Sequence, residues 1–414
     1  MIRFLSLSIW LTSETHSNSI CHNKLKHLPM LARTQLKYLK NGAAFCTKPA
    51  QVIQDQFQHF RTTENSPTLH SKDHIGKFYT IPSDIRSKLF FSGGIPKSWD
   101  NQMKVFCETC IMVREPALEV MSLVNKINYA DPAIRFVLYG RDGSGKTATL
   151  MHLLHFAYES KFLLLHVPWV SNWTKRPKEV VASQFKEGRI DLPVESAIWL
   201  QHFKTQNLQL MEELNLKTTK SYTWSKREVT EQGDSLMDIV EHGIQRVRHS
   251  SDCVAALVKE IKQQAQTGKF KVMVIIDGVN AFWNKTNVKR PDRSLVPATE
   301  ITITRAFMKL LQNDWNNAAM ITTVDIIPFN RNASKLDPYT PHSLLGKEGF
   351  EHMDPFIPIH VDHYTDKEIH SVLDYYSDRL WLQSERARQE EGRKQIKFLS
   401  GYNPAEVMKL CSPL

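Results

Sequence analysis

Residues Gly140-Arg141-Asp142-Gly143-Ser144-Gly145-Lys146-Thr147 satisfy the pattern G-x-x-x-x-G-K-[ST] at every constrained position. Glycines at these places let the backbone curl so that successive N–H groups point inward. The dipole of a following helix adds positive potential at the same spot, and together they cradle a triphosphate. In that reading Lys146 reaches the β and γ phosphates and Thr147 supplies a hydroxyl to Mg²⁺. A carboxylate stands at Asp277, after the apolar run Val272-Met273-Val274-Ile275-Ile276, where a Walker B aspartate orients Mg²⁺ through its water shell. Thr147 and Asp277 are the expected metal-binding pair.

The next residue is Gly278, where hydrolysing ATPases of the AAA+ kind carry a glutamate that activates water. General-base catalysis contributes about 10²–10⁴-fold, so this site should bind nucleotide and hydrolyse it slowly or not at all. Another carboxylate in that role would make the chain an active AAA+-like or signalling NTPase, which is the alternative reading. Thr322, Thr323 and Asp325 lie where a polar sensor of the γ phosphate would sit, and ordinary strand-end residues look the same. Asn284-Lys285-Thr286-Asn287 resembles a guanine motif but ends in Asn and comes too soon after Asp277, so it reads as a loop. Cys107-x-x-Cys110 has no second pair at zinc spacing and reads as core packing within a helix. Lys289, Arg290 and Arg293 read as a solvated loop, with RNA contact or an arginine finger as the other use.

The loop must be set between a strand and a helix. Apolar runs at 134–139, 162–167, 272–277 and 318–324 have the character of buried parallel strands, and 149–160 reads as the intervening helix. Strands alternating with helices predict a three-layer α/β fold with a parallel sheet. Thr147 and Asp277 are 130 positions apart, whereas two βαβ units need on the order of 60, which places an insertion around 169–233. Beyond it, 237–264 reads as one long helix. Phe106, Cys110 and Val113 mark one helix before the loop, and Ala117, Val120, Met121 and Val124 another. At the C-terminus, Thr365-Asp366-Lys367-Glu368 is a capping box, and Asn403-Pro404 opens a last helix; residues 363–414 read as a separate helical unit.

The chain has 414 residues and a net charge of +10. Residues 1–50 hold seven Lys and Arg against the single acid Glu14, so the basic excess belongs mainly to the N-terminus. Its Ser-rich, acid-poor composition is that of a mitochondrial transit peptide, set at 1–46. Ala32, Leu36, Leu39 and Ala43 form an apolar helical stripe beside Arg33, Lys37 and Lys40. Because that pattern begins just after Met30, Met30 is a second candidate start. A secretory signal over 4–11 competes but lacks a small-x-small cleavage site. The polar stretch 47–77 reads as a flexible linker, and 78–362 as the nucleotide-binding domain. Six scattered cysteines do not make a disulfide framework. No run reaches the roughly 18 apolar residues of a membrane helix, so no membrane insertion is expected.

The loop, the Asp277-Gly278 step, the stretch 222–228, Leu344-Leu345-Gly346-Lys347-Glu348-Gly349-Phe350, Asp354-Pro355-Phe356-Ile357-Pro358-Ile359 and Ser400-x-x-Asn403-Pro404 together resemble the death-associated protein family of the mitochondrial ribosomal small subunit. The resemblance runs from about Phe78 to the C-terminus. It implies a P-loop NTPase (AAA+-like) fold with a C-terminal helical lid, in the small subunit of the mitochondrial ribosome in the matrix. It further implies a bound purine nucleotide, GTP or else ATP or GDP, and partners among small-subunit proteins, small-subunit rRNA and large-subunit proteins across the interface. A link to apoptosis is implied as well. The family's nucleotide residues carry over to Gly140, Gly143, Gly145, Lys146, Thr147 and Asp277.

Overall fold

The computed structural model describes residues 59–326 and 339–412. The transit peptide expected at 1–46, its amphipathic helix and residues 47–58 of the expected linker lie outside them. Residues 59–77 contradict the linker reading. Phe60 is buried, its carbonyl accepts from Phe78 N at 2.7 Å, and Arg61 pairs with Glu108 at 2.7 Å. His70 Nδ1 lies 2.8 Å from His152 Nε2. These long-range contacts fix a stretch that lacks an apolar period of its own.

Strand β1 (Phe78–Ile81) is followed by helices α1 (Ser83–Leu89) and α2 (Lys97–Phe106), then by β2 (Thr109–Met112), which pairs antiparallel with β1. The helix expected through Phe106, Cys110 and Val113 therefore stops at Phe106. Cys107 takes a left-handed φ of 56° and ends it, while Cys110 sits in β2. Pairing with β1 prevails over a spacing that merely imitates a helical period. Helix α3 (Glu115–Lys126) carries Ala117, Val120, Met121 and Val124 inward as expected.

The central sheet has five parallel strands. They are β3 (Ile134–Tyr139), β4 (Leu163–Val167), β5 (Val272–Ile276), β6 (Ala318–Thr323) and β7 (Ile357–His360), in the order β7-β3-β6-β5-β4. Four are the expected apolar runs. The fifth, β7, escapes the sequence reading because it is four residues long and contains Pro358, which an edge strand tolerates. Leu163, Leu165, Val272, Val274 and Ile276 pack on one face, and Leu164, Met273 and Ile275 on the other. Burial on both faces explains why these strands read as continuous apolar runs. Helices α3 and α4 (Lys146–Glu159) cover the second face. The first is covered by α5 (Pro193–Leu214), α6 (Leu236–Gln245), α7 (Ser250–Ala265) and α8 (Thr302–Leu310).

The expected insertion is not a protrusion. Its helix α5 lies along the free edge of β4, where Asn207 accepts from Leu164 N at 2.7 Å and donates to Leu164 O at 3.0 Å. Trp199 Nε1 donates to His166 O at 2.9 Å. An exposed sheet edge is thereby satisfied and closed to other chains. The single helix expected over 237–264 is two helices, α6 and α7, broken at Val247–His249. Ser250 Oγ lies 2.7 Å from the carbonyl oxygens of both Gly243 and Val247, between which its single proton is shared. The break folds both apolar stripes onto the same core and leaves Val247 at the surface.

After α9 (Pro341–Met353) and β7 come α10 (Asp366–Asp378), α11 (Glu390–Ser400) and α12 (Pro404–Cys411). Thr365 and Glu368 form the expected capping box, and Asn403 caps α12. These helices are not a separate unit, because they belong to the compact body spanning Gln58–Leu414. Tyr375 of α10 stacks on Phe78 at 4.4 Å and donates to Glu108 at 2.8 Å.

Candidate functional site

The loop 140–147 leaves the end of β3 and enters α4, with Gly140, Gly143 and Gly145 at φ of 148°, 75° and 103°. Glycine is needed here for space as well as conformation. A Cβ on Gly140 would lie 2.3 Å from Val361 O, and one on Gly143 would lie 2.5 Å from Asn403 Oδ1. The loop carbonyls are held from outside. Asn403 Nδ2 donates to Asp142 O at 2.8 Å, Ala405 N to Gly143 O at 3.2 Å, and Arg114 Nη1 to Ser144 O at 2.8 Å. Those three carbonyls are engaged from outside the loop, while the first-turn N–H groups of α4 have no intrahelical acceptor. Arg141 and Asp142 are exposed, and Ser144 is fully buried.

Arg114 is the residue the sequence reading missed. It is buried together with Glu368, bonds that carboxylate at 3.0 Å, and donates to the carbonyls of Asp362 and His363 at 2.9 and 3.0 Å. One guanidinium thus ties the loop to the segment entering α10. Nothing local to Arg114 signals this, since its partners lie far along the chain.

Thr147 Oγ1 donates to Asp277 Oδ2 at 3.0 Å. The expected metal pair is brought together, with its oxygens at a spacing that lets one hard cation share both. Thr323 donates to the other Asp277 oxygen and accepts from Gly278 N at 2.8 Å, so it orients the aspartate. Thr322 turns into the sheet and bonds Phe136 O, whereas Asp325 lines the hollow. Burial pushes the Asp277 carboxyl up to about 6, against the bonds from Thr323 and Thr147 and with Asp325 adding to the rise. Burial also lowers the Lys146 ammonium, which Asp325, Asp142 and Asp277 partly restore. Lys146 Nζ donates to the carbonyls of Gly140 and Arg141, both at 3.0 Å.

The loop opens on a cavity of about 650 Å³ that extends away from it between α2, Trp169, α10 and α12, a size that suits a small-molecule ligand. Residues 284–287 and 289–293 do not line it. Thr286 bonds Val296 O, and Arg290 pairs with Glu300. Cys107 is exposed and Cys110 buried, both as free thiols.

A family model described as mitochondrial ribosomal death-associated protein 3 matches residues 111–410. Two curated relatives are named small ribosomal subunit protein mS29. The one from Bos taurus is 41% identical over 357 residues, covering 86% of this chain and 88% of the relative. The one from Mus musculus is 40% identical over 358 residues, covering 86% and 89%. A chain from a solved E. coli MS115-1 HORMA:CdnC:Trip13 complex aligns with 80% of this chain and 82% of its own, at a TM-score of 0.29 and 11% identity, too slight a likeness to bear on the fold.

Proposed function

The chain belongs to the mitochondrial ribosomal death-associated protein family, and on that footing we propose that it is a structural protein of the mitochondrial small ribosomal subunit, acting in translation in the matrix. Within it, a P-loop NTPase-like core holds a purine nucleotide with Mg²⁺ as an internal brace. The observation that carries this reading is the loop 140–147, clamped from behind by Arg114, Asn403 and Ala405 while Thr147 and Asp277 converge in front.

Loop and first-turn N–H groups with Lys146 would receive the phosphates, and Thr147 and Asp277 would hold Mg²⁺, which neutralises phosphate charge when bound. Because the C-terminal helices rest on the same loop, ligand there would stiffen both. A ligand binding only the folded form stabilises it by about 4 kcal/mol at a thousandfold excess over Kd. The reading as a cycling NTPase is disfavoured by Gly278, whose φ of 73°, with Trp169 Cδ1 only 3.3 Å from where a Cβ would stand, suits glycine rather than a catalytic glutamate.

The rRNA partner has support of its own. Lys186 and Arg189 on the hairpin over 181–191, Lys259 on α7, and Arg305 and Lys309 on α8 form one basic face. Partial burial, then these four neighbours, hold the Lys309 ammonium below the ordinary lysine range. Like charges this close repel, and a phosphate backbone relieves them. Phe185 on that hairpin, 77% exposed, offers a ring for stacking on an unpaired base.

The test is to identify the nucleotide retained by purified protein and to follow its turnover. A bound purine nucleotide hydrolysed far below about 1 s⁻¹, the low end of ordinary enzymes, and lost in Lys146→Ala is expected. Sustained turnover at or above that rate would favour the enzyme reading, and wild-type protein that takes up no nucleotide would sink both.

A further inference from the structure

The break between α6 and α7 brings together three side chains that take no part in the loop 140–147. His242 on the last turn of α6 and His249 in the break meet with Nε2 of the first 3.1 Å from Nδ1 of the second. Glu228 Oε2 lies 4.0 Å from the same His249 nitrogen, and one ligand atom from each of the three residues falls within 4.8 Å of the others. The break creates this grouping, because seven residues of unbroken helix would set the two histidines about 10 Å apart along the axis. Each member is also held from the side. Trp224 stacks on the His242 ring at 5.3 Å, and Tyr222 on Trp224 at 5.7 Å. Arg246 Nε donates to Glu228 Oε1 at 2.8 Å, which leaves Oε2 with a long bond from Ser225 Oγ at 3.3 Å.

We infer that Glu228, His242 and His249 form a Zn²⁺ site, which staples the hairpin of Tyr222–Thr223 and Val229–Thr230 to the α6–α7 break. Two imidazoles and a carboxylate are a zinc donor set that leaves a fourth position for water. Tetrahedral zinc with Zn–N bonds of about 2.0–2.1 Å holds its nitrogens about 3.3 Å apart, close to the spacing here. Magnesium and calcium prefer oxygen throughout, and copper(I) prefers sulfur. On binding, the hydrogen at the His242–His249 contact moves to the other nitrogen of its own ring, so both facing lone pairs reach the metal. The pairs His70–His152 and His166–His202 have similar contacts, at 2.8 and 2.9 Å, but among the described residues neither belongs to such a group of three. The side chains of His249 and Glu228 are 18% and 30% exposed, which gives the ion a way in.

The experiment titrates Zn²⁺ alone into chelator-stripped, nucleotide-free full-length protein against a chromophoric competitor, beside His242→Asn, His249→Asn and Glu228→Gln. Thermal unfolding without metal checks that each variant folds. Wild-type protein should take up zinc and unfold at a higher temperature with it. Either histidine substitution should weaken this uptake by more than the roughly 10–100-fold that outer-shell changes cost, and Glu228→Gln should weaken it by at least about tenfold, the low end of that range. Should the histidine variants not fold, Co²⁺ in the wild-type protein carries the test, and an intense visible spectrum of four-coordinate geometry is expected. A weak, six-coordinate spectrum would overturn the site. Wild-type protein that takes up no zinc would show the histidine pair to be a hydrogen bond only. Uptake undiminished in folded His249→Asn would place the zinc elsewhere, at Asp277 for example, and would equally overturn the inference. None of these outcomes bears on the nucleotide reading.

Discussion

At the loop end of the cavity, Gly143, Gly145, Lys146 and Thr147 come from five consecutive positions, whereas the far end gathers Trp99 and Gln102 from α2, Tyr376 from α10 and Met408 from α12. The first end is specified by short-range geometry: a curl needs glycines, and a helix start needs unpaired N–H groups. The second exists only because the C-terminal helices are docked against the N-terminal ones. Phosphate recognition would therefore be a property of one turn, whereas the far end is a property of the whole fold. Whatever joins the two should matter more to the second.

Arg114 is that joint, and its removal gives the largest expected effect. Arg114→Ala leaves Glu368 buried without its guanidinium and takes donors from the carbonyls of Ser144, Asp362 and His363. Breaking one side of a buried pair costs about 3–5 kcal/mol, to be read by denaturant unfolding. Nucleotide affinity should fall more than tripolyphosphate affinity, because the undocked helices no longer complete the far end. Equal losses for both ligands would mean that the two ends are not built separately.

The same contrast decides how much was legible in the sequence. The 140–147 loop and Asp277 could be found because their chemistry imposes fixed spacing. Four of five sheet strands showed themselves by burial on both faces. Arg114 looked like any charge before a helix, since its meaning lies in residues brought close by the fold. The helix expected through Cys110 and Val113 failed for a related reason: β1, some thirty residues earlier, supplied backbone partners that no local window contains.

At the loop end, Asp277 should impose a pH dependence. Its carboxyl is raised from an ordinary 3.8 to about 6, chiefly by burial. Between those values the folded protein holds a proton that the unfolded chain has lost. The contribution of Asp277 to stability without ligand, read as the difference from Asp277→Asn, should therefore be greatest below the unfolded value, decline as pH rises through the window, and level off above about 6. Magnesium-dependent binding runs the other way, since it requires the carboxylate. Its affinity should be full above pH 6 and fall roughly tenfold per unit below, the signature of one coupled proton. Calorimetry across pH 4.5–7.5 checks this on a grid of about half a unit, set by the span of the shift. Asp277→Asn should flatten both trends, and tripolyphosphate binding without magnesium should lack the second.

Gly278 gives the smallest effect and the sharpest contrast between binding and turnover. Its φ of 73° is the left-handed region, and an ideal Cβ there would lie 3.3 Å from Trp169 Cδ1. Substitution by alanine should cost on the order of 1–3 kcal/mol, the range for a non-glycine residue held at such a dihedral. Gly278→Glu places a carboxylate at the position that a water-activating group occupies in hydrolysing relatives of this kind of site. It should nevertheless remain without sustained turnover, because relief of the strain would shift the strand end that carries Asp277 and displace Trp169. Unfolding midpoints for both variants, measured beside steady-state phosphate release, separate the possibilities. Rapid phosphate release by Gly278→Glu would show that the site was one side chain away from hydrolysis and that the glycine, rather than the architecture around it, keeps the nucleotide in place.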